Sequence, residues 1–421
     1  MDFRENGISK IQMLDQQDKL RPAAGKVTGL DRWLVHSVLK AGGNPPVRVV
    51  LWNGEELTTS PDPAVGRVHL HNRNTLLKIL ANPDLGFGDA YGSGQIEVEG
   101  DLVQVLETLY RADAAAAPLG LVKTQVLRWL NRPRINSLGG SRDNIHHHYD
   151  IGNEFYKLWL DDQLVYTCAY FPTPASSLEE AQIAKMDHVC RKVQLKPGQR
   201  VIEAGCGWGA LGLHMARHYE VKVRAFNISH EQIVFARERA RSAGLDTQVE
   251  YVEDDYRNIS GECDAFVSVG MLEHVGVEHY QQLGSIIRRC LKPAGLGLIH
   301  SIGKRRQSPM NPWMETRIFP GSYLPTLREM MHVFEPCGFS VLDVENLRLH
   351  YAKTLEHWLE RFEKAAERVE TMFDEQLVRT WRLYLAGSLA GFTTGSIQLF
   401  QVVFAHAANN AIPWTRAHVY A

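Results

Sequence analysis

From Val201 onward the chain reads strand, glycine turn, helix, strand, and this alternation confines it to an open α/β sheet with helices on both faces. Val201 to Ala204 reads as a first strand, Leu211 to His218 as a helix, Val221 to Phe226 as a second strand and Glu231 to Ala243 as a second helix. Val249 to Val252, Ala265 to Val269 and Leu296 to Ser301 complete a central parallel set. Between the first strand and its helix stands Glu203-Ala204-Gly205-Cys206-Gly207-Trp208-Gly209. Glycines there let the backbone turn tightly and approach a ligand where a side chain would collide. Their spacing is not the Gly-x-Gly-x-x-Gly of a nicotinamide-binding turn. The loops after the next two strands, Asn227-Ile228-Ser229-His230-Glu231-Gln232 and Asp255-Tyr256-Arg257, carry polar groups suited to ribose and adenine, although Ser229 equally suits a helix cap.

A chain of 421 residues exceeds one typical core, so two domains are expected. The formal net charge of -2 supplies no global basic field, which argues against a nucleic-acid partner. Apolar runs such as Val47 to Leu51 fall far short of the roughly 20 residues of a spanning helix. Residues Met1 to Gln17 mix charges with isolated apolar residues, unlike a secretory signal, and the expected location is the cytoplasm. The six cysteines, Cys168, Cys190, Cys206, Cys263, Cys290 and Cys337, form no CxxC pair and no zinc spacing, so free thiols and no metal are expected.

Residues 1–112 read as a small α+β unit. Val47 to Trp52 and Val65 to Leu70 look like strands, Asn74 to Asn82 like a helix, Pro83 to Gly94 like a turn-rich stretch, Ile96 to Val98 like a strand and Leu102 to Tyr110 like a helix. Residues 113–143 form a linker whose segment Leu119 to Leu130 is amphipathic, with Lys123, Arg128, Arg132 and Arg134 beside Trp129. Such a helix suits an anionic bilayer surface, and packing of its apolar face on a neighbouring domain explains the same pattern. Residues 144–421 form the third section, of which Thr354 to Ala408 reads mostly as helix.

The glycine segment resembles motif I of class I methyltransferases, which implies S-adenosylmethionine in the crevice. A longer resemblance begins at His148-Tyr149-Asp150-Ile-Gly-Asn-Glu154-Phe155-Tyr156 and Tyr166-Thr167-Cys168-Ala169-Tyr170-Phe171. It continues through Ser268-Val-Gly-Met-Leu-Glu273-His274, Leu298-Ile-His300-Ser-Ile302-Gly, Asn311-Pro-Trp and Ile318-Phe-Pro-Gly. These segments resemble the cyclopropane fatty acid synthase and mycolic acid cyclopropane synthase family from about Asn144 onward. The first hundred or so residues resemble the sterol-carrier-like lipid-binding domain of its phospholipid-acting members. The fold this implies is a class I methyltransferase doubly wound sheet with added helices forming an acyl pocket, preceded by the small α+β lipid-binding domain.

The resemblance implies attack of a cis alkene on the sulfonium methyl, a cation on the acyl chain, and loss of a proton from the new methyl as the ring closes, with bound bicarbonate as base. Carried over residue by residue, Cys168, Glu273, His300, the backbone of Ile302 and the hydroxyl of Tyr351 surround that anion. A buried anion needs several hydrogen bonds to offset lost hydration, and a glutamate beside it should share or hold a proton. The cofactor set is Tyr166, Thr167, Glu203, Ala204, Gly205, Gly207, Gly209, Asn227, Ser229, Gln232, Tyr256 and Arg257. Two departures fall at the adenine side: Asn227 replaces a frequent threonine, and Tyr256-Arg257 a more usual tryptophan-acid pair.

The expected substrate is an unsaturated phospholipid acyl chain, with peripheral contact to an anionic membrane expected from Lys123, Arg128, Arg132 and Arg134 beside Trp129, and a homodimer to which the resemblance adds weight. A fatty acid methyltransferase leaving a methyl or methylene branch is the alternative, since both outcomes share one cation. A complete anion set favours the ring. A non-catalytic lipid-binding or transfer protein is the alternative of another class, and it should have lost Glu273, His300 or Tyr351, all of which are present.

Overall fold

The computed structural model describes residues 25–115 and 152–420. The basic segment with Lys123, Arg128, Trp129, Arg132 and Arg134, and the opening His148-Tyr149-Asp150, lie outside the described residues.

The first unit is a four-stranded sheet of β1 (Arg48–Val50), β2 (Glu56–Leu57), β3 (Arg67–Leu70) and β4 (Ile96–Glu99) in the order β2-β1-β3-β4. Val68 and Leu70 alternate inward along β3, as period-two patterning requires. The helix Gly29–Ala41 has no counterpart in the sequence expectations. Its signal is Thr28-x-x-Asp31, a capping box in which Thr28 Oγ1 accepts from Asp31 N and Asp31 Oδ2 accepts from Thr28 N. Arg73 pairs with the buried Asp31 at 2.7 Å, which fastens this helix to the next one, Arg73–Ala81.

The stretch expected to be turn-rich is instead the helix Pro83–Gly92. Asn82 caps it by accepting from Leu85 N, and Pro83 sits at the first turn, where its missing N–H costs nothing. Its glycines serve close approach rather than turning. A Cβ on Gly88 would stand 2.3 Å from the Trp313 ring, and one on Gly92 would stand 2.8 Å from Thr380 Oγ1. This helix and the helix Leu102–Ala115 both pack on the helix Glu375–Thr394. Arg317 grips Asp89 through two hydrogen bonds, and Arg379 donates to the carbonyls of Tyr91 and Ile96.

The second sheet has seven strands: β5 (Arg200–Ala204), β6 (Lys222–Asn227), β7 (Val249–Glu253), β8 (Cys263–Val269), β9 (Leu291–Lys304), β10 (Phe339–Asn346) and β11 (Ile397–His406). Their order is β10-β11-β9-β8-β5-β6-β7, and β5 to β9 are mutually parallel. The order reverses between β5 and β8, the point where open sheets of this kind bind ligands.

The expectation of mostly helix from Thr354 to Ala408 holds for the helices Arg348–Met372 and Glu375–Thr394 and fails at β11. Gly395, at φ +73°, ends the second helix in the left-handed region. The next run is buried from Leu399 to Ala405 and inserts antiparallel between β9 and β10. A run of that length, apolar but for Gln401, fits a strand covered on both faces better than an amphipathic helix. All six cysteines are buried and free.

Gly88→Leu should lower stability by about 1–3 kcal/mol, because the Trp313 ring has to move aside. Gly29→Ala, where nothing lies within 4 Å, should stay within about 0.5 kcal/mol. Urea unfolding of both variants measures the difference, and equal midpoints would mean that Gly88 does not seat the helix.

Candidate active site

The glycine loop leaves the carboxyl end of β5, and its N–H groups at Gly205 and Cys206 donate to Phe226 O on β6 at 2.9 and 3.1 Å. Gly205 has φ +86°, and a Cβ there would meet Met271 at 2.9 Å, so only glycine fits. Ala204 is fully buried at the strand end. The Glu203 carboxylate lies below the loop, with Oε2 3.1 Å from where a Gly212 Cβ would stand. Burial pushes Glu203 up to about 7, against the pull of Lys185.

Asn227, Ser229 and Gln232 come together after β6. Asn227 Nδ2 donates to Gln232 Oε1 at 2.7 Å and reaches Gly207 O at 3.4 Å, while Ser229 Oγ caps the helix His230–Ser242 through Gln232 N. After β7, Asp255 accepts from Arg257 N and pairs with the Arg257 guanidinium at 3.1 Å. The guanidinium lies 5.0 Å from the centroid of the Tyr256 ring. Gly205, Asn227, Asp255, Tyr256, Met271 and His274 share the wall of a narrow crevice of about 60 Å³. Glu203 and Ala204 are not in that wall.

Tyr166 and Thr167 arrive from the segment before the helix Leu178–Lys192. The Tyr166 hydroxyl is 2.7 Å from that of Tyr384, and its ring packs among Tyr156, Trp159 and Trp358. Thr167 Oγ1 accepts from Lys185 Nζ at 3.0 Å, and its methyl lies 2.9 Å from where a Gly270 Cβ would stand. Lys185 is buried, which pulls its amine down to about 8 against the opposing influence of Asp161. Trp208 of the glycine loop donates to Asn153 Oδ1, tying the loop to the short helix Asn153–Tyr156.

Glu273 follows from the end of a strand pairing. The β8–β9 ladder closes at Val269 opposite His300, and Gly270 N donates to His300 O at 2.9 Å. The next β9 donor on that edge, Ile302 N, has no strand to pair with and donates to Glu273 Oε1 at 2.6 Å. Glu273 Oε2 is buried and accepts no hydrogen bond; the nearby Ser301 hydroxyl donates to the Ile302 carbonyl instead. Burial pushes the Glu273 carboxyl to about 7, so it keeps its proton well above the ordinary carboxylate range.

His300 lies two residues before Ile302, on the same face of β9. Its protonation follows from its neighbours. Lys192 Nζ donates to Gln401 Oε1 at 2.7 Å, which turns the Gln401 amide nitrogen toward His300 Nδ1 at 3.1 Å. Nδ1 therefore accepts and Nε2 carries the hydrogen. Burial, with Lys185 and Lys192 nearby, pulls the His300 imidazole well below its usual range and keeps it neutral. Nε2 is buried and has no hydrogen-bond partner. Glu345 completes the relay by accepting from Lys192, with His188 Nε2 at 2.8 Å, and these two neighbours outweigh its burial and hold it at about 2.

Cys168 and Tyr351 meet at Leu347. The Cys168 thiol, raised by burial and hence protonated, lies 3.1 Å from Ala169 O and 3.9 Å from Leu347 O; Tyr351 N donates to that same Leu347 carbonyl. The Tyr351 ring packs on Phe392 at 4.5 Å. Leu347 N donates to Leu399 O, and Leu399 pairs with Ile302, so the turn that leads into Tyr351 is tied by its backbone to the β9–β11 ladder. Gln401, Lys192 and Lys185 were absent from the expected set. Gln401 had a readable signal: a lone polar side chain inside Leu399 to Ala405, an otherwise apolar strand, needs a buried partner.

The family model described as mycolic acid cyclopropane synthetase matches residues 137–402, and one described as a domain of unknown function (DUF7884) matches residues 34–117. The chain is 33% identical over 394 residues to a Pseudomonas putida protein called "Probable fatty acid methyltransferase", covering 89% of this chain and 96% of that one. It is 40% identical over 266 residues to the cyclopropane-fatty-acyl-phospholipid synthase of Escherichia coli (strain K12), covering 63% of this chain and 68% of that one. The crystal structure of mycolic acid cyclopropane synthase CmaA1 complexed with SAH and CTAB superposes with a TM-score of 0.60 at 30% identity, over 62% of this chain and 97% of that one.

Since Glu273 titrates near 7 when folded and near 4.5 when unfolded, the folded state holds the extra proton between those values, and this group's contribution to stability falls as pH rises through that window. Glu273→Gln removes the effect. Relative to wild type the variant should gain up to about 3 kcal/mol between about pH 5 and about pH 8. Urea midpoints at the two pH values measure it; a constant wild-type-to-variant difference would show that the carboxyl is not held protonated.

Proposed function

The chain belongs to the mycolic acid cyclopropane synthetase family, and from that premise we propose that it is a cyclopropane-fatty-acyl-phospholipid synthase. It is an S-adenosylmethionine-dependent methyltransferase, so the lipid-transfer alternative is set aside. In the proposed reaction the π electrons of a cis double bond displace the methyl from the sulfonium, leaving S-adenosylhomocysteine and a cation on the acyl chain. A proton then leaves the new methyl, and its bonding electrons close the ring.

The observation that carries this reading is that, among several buried atoms without hydrogen-bond partners, two belong to motif residues gathered at one edge of β9, His300 Nε2–H and Glu273 Oε2. One is a donor and the other a carboxyl oxygen, and such atoms are costly to bury unless a ligand meets them. Bicarbonate fits that donor set, and when bound it supplies the base. His300 Nε2–H would donate to it, Cys168 and Tyr351 would border it, and Glu273 would exchange a proton with it, its carboxyl poised near neutrality by burial. The Gln401 amide keeps the His300 hydrogen on Nε2 throughout. The apolar and aromatic walls from Trp159, Trp358 and Phe392 exclude the water that would quench a cation. Peripheral contact with an anionic membrane belongs to the same proposal and rests on the choice of substrate; among the described residues no helix is long and apolar enough to cross a bilayer.

The second reading is a fatty acid methyltransferase that leaves a branch. It is favoured by the Pseudomonas putida relative, whose similarity spans 89% of this chain rather than the catalytic part alone. Incubation with S-adenosylmethionine and vesicles of an unsaturated phosphatidylglycerol, followed by mass and NMR analysis of the released acyl chains, separates the two. Upfield ring protons with a gain of one CH2 are expected; methyl-branch signals would replace the ring reading. Glu273→Gln should keep S-adenosylmethionine affinity while kcat falls by about 10²–10⁴-fold, as for loss of a proton-transfer group. Depleting dissolved bicarbonate should slow the wild type in the same assay and leave cofactor affinity unchanged. Unchanged turnover in either arm removes the anion from the mechanism.

A further inference from the structure

Beyond the catalytic edge of β9 the chain runs from Ile302 through Lys304 into Arg305 and Arg306. Lys304 is bridged in parallel to Thr326, so the start of the helix Leu327–Phe334 lies alongside and presents Arg328 in its first turn. Arg305, Arg306, Arg328 and His332, with Val277 and Thr326, line a recess of about 600 Å³. The three arginines are exposed, and among the described residues none of them makes an ion pair or a hydrogen bond. Arginines elsewhere in the fold behave differently: Arg317 is held by Asp89 and Arg361 by Glu179. The carboxylate in the same wall, Glu329, is taken up by Thr326, Tyr323 and Gln307. Those donors are neutral and leave Glu329 its charge, so the recess sets three guanidinium groups against one carboxylate and is net positive.

Three chain segments lead from Glu273 to this place. Val277 follows Glu273 by four residues. Tyr323 N donates to the Glu273 carbonyl at 2.8 Å, three residues before Thr326. Ile302, whose N–H binds the Glu273 carboxyl, precedes Arg305 by three residues, roughly 10 Å of extended chain. The recess opens at the carboxyl end of β9, the edge of the sheet that carries the cofactor crevice and Glu273.

Guanidinium groups match the oxygens of a phosphate in paired hydrogen bonds. An acidic protein would need a patch of about 800 Å² on each partner, whereas this recess has the dimensions of a head group. We propose that Arg305, Arg306 and Arg328 bind the phosphodiester of the lipid whose acyl chain is modified, so that the head group is anchored beside the catalytic edge and the chain is directed toward Glu273. This rests on the phospholipid reading above and names the part of the substrate recognised outside the reacting carbons.

The test uses the full chain. Monomeric dihexanoylphosphatidylglycerol, neutral dihexanoylglycerol and inorganic phosphate are titrated separately against wild type and the triple variant Arg305→Gln, Arg306→Gln, Arg328→Gln. The variant should bind the phosphatidylglycerol about tenfold more weakly or worse, equivalent to about 1.4 kcal/mol, and bind the neutral lipid as the wild type does. On vesicles of unsaturated phosphatidylglycerol its KM should rise about tenfold, with kcat and S-adenosylmethionine affinity within about twofold. Arg328→Gln alone, at an exposed position, carries the test if the triple variant melts early. Equal phosphatidylglycerol binding by wild type and variant overturns the proposal. So does inorganic phosphate binding as tightly as the lipid, which marks a free-anion site, or an activity loss confined to an acidic acyl-carrying protein. The binding arm requires no product, so failure to form a ring with the arginine effect intact would sink the functional reading and leave the recess standing.

Discussion

The hydrogen bond from Ile302 N to the Glu273 carboxyl joins the end of β8 to β9 at the candidate site, and the burial that comes with it sets the protonation of that carboxyl. It exists because β8 ends one pairing too soon to cover β9, leaving a backbone donor that must be satisfied in an apolar interior. A glutamate used in this way is drawn out of water, and the same burial that requires the bond shifts the carboxyl toward neutrality. The strand-closing bond and the proton-exchange role proposed for Glu273 would thus fall on one side chain. A residue that only caps the strand would have no reason to leave its second oxygen unbonded.

A second, quieter constraint runs through Gln401. An imidazole can present either nitrogen as its donor, and the choice here is made two residues away, by a lysine that fixes which end of an amide faces the ring. The ammonium is itself neutralised by Glu345, so a chain of four side chains crosses from the strand edge to a single ring nitrogen. Mutation anywhere along it alters which proton the ring carries without touching the ring.

Much of this is legible in the amino-acid sequence. The parallel strands and the glycine loop were readable because each obeys a local rule: a short apolar run, then glycines at positions that side chains cannot occupy. The helix Pro83–Gly92 was not, because proline and glycine are read as turn formers, while here proline opens the helix and Gly88 and Gly92 make room for Trp313 and Thr380 of the distant catalytic part. β11 was missed because a buried strand and a buried helix look alike in composition, and its pairing with β9 and β10 is non-local. Within the site, motif residues such as Glu273 and His300 could be named from the sequence, while the bonds that set their protonation come from Lys192 and Gln401, far apart along the chain. The three arginines are not legible as a group in the sequence, because Arg328 joins Arg305 and Arg306 only through the fold and none of the three is paired with a carboxylate there.

The late position of β11 has a consequence for biogenesis. It threads between two strands that precede it, so during synthesis β9 and β10 are made with their facing edges open and must wait for residues 397–406 before either is covered. Unpaired edges of apolar strands invite association with other chains. A nascent polypeptide stalled shortly before that point would carry the glycine loop and Glu273 yet lack Gln401, the amide bonded to His300. Completion of the sheet and the setting of the His300 tautomer thus depend on the same late segment.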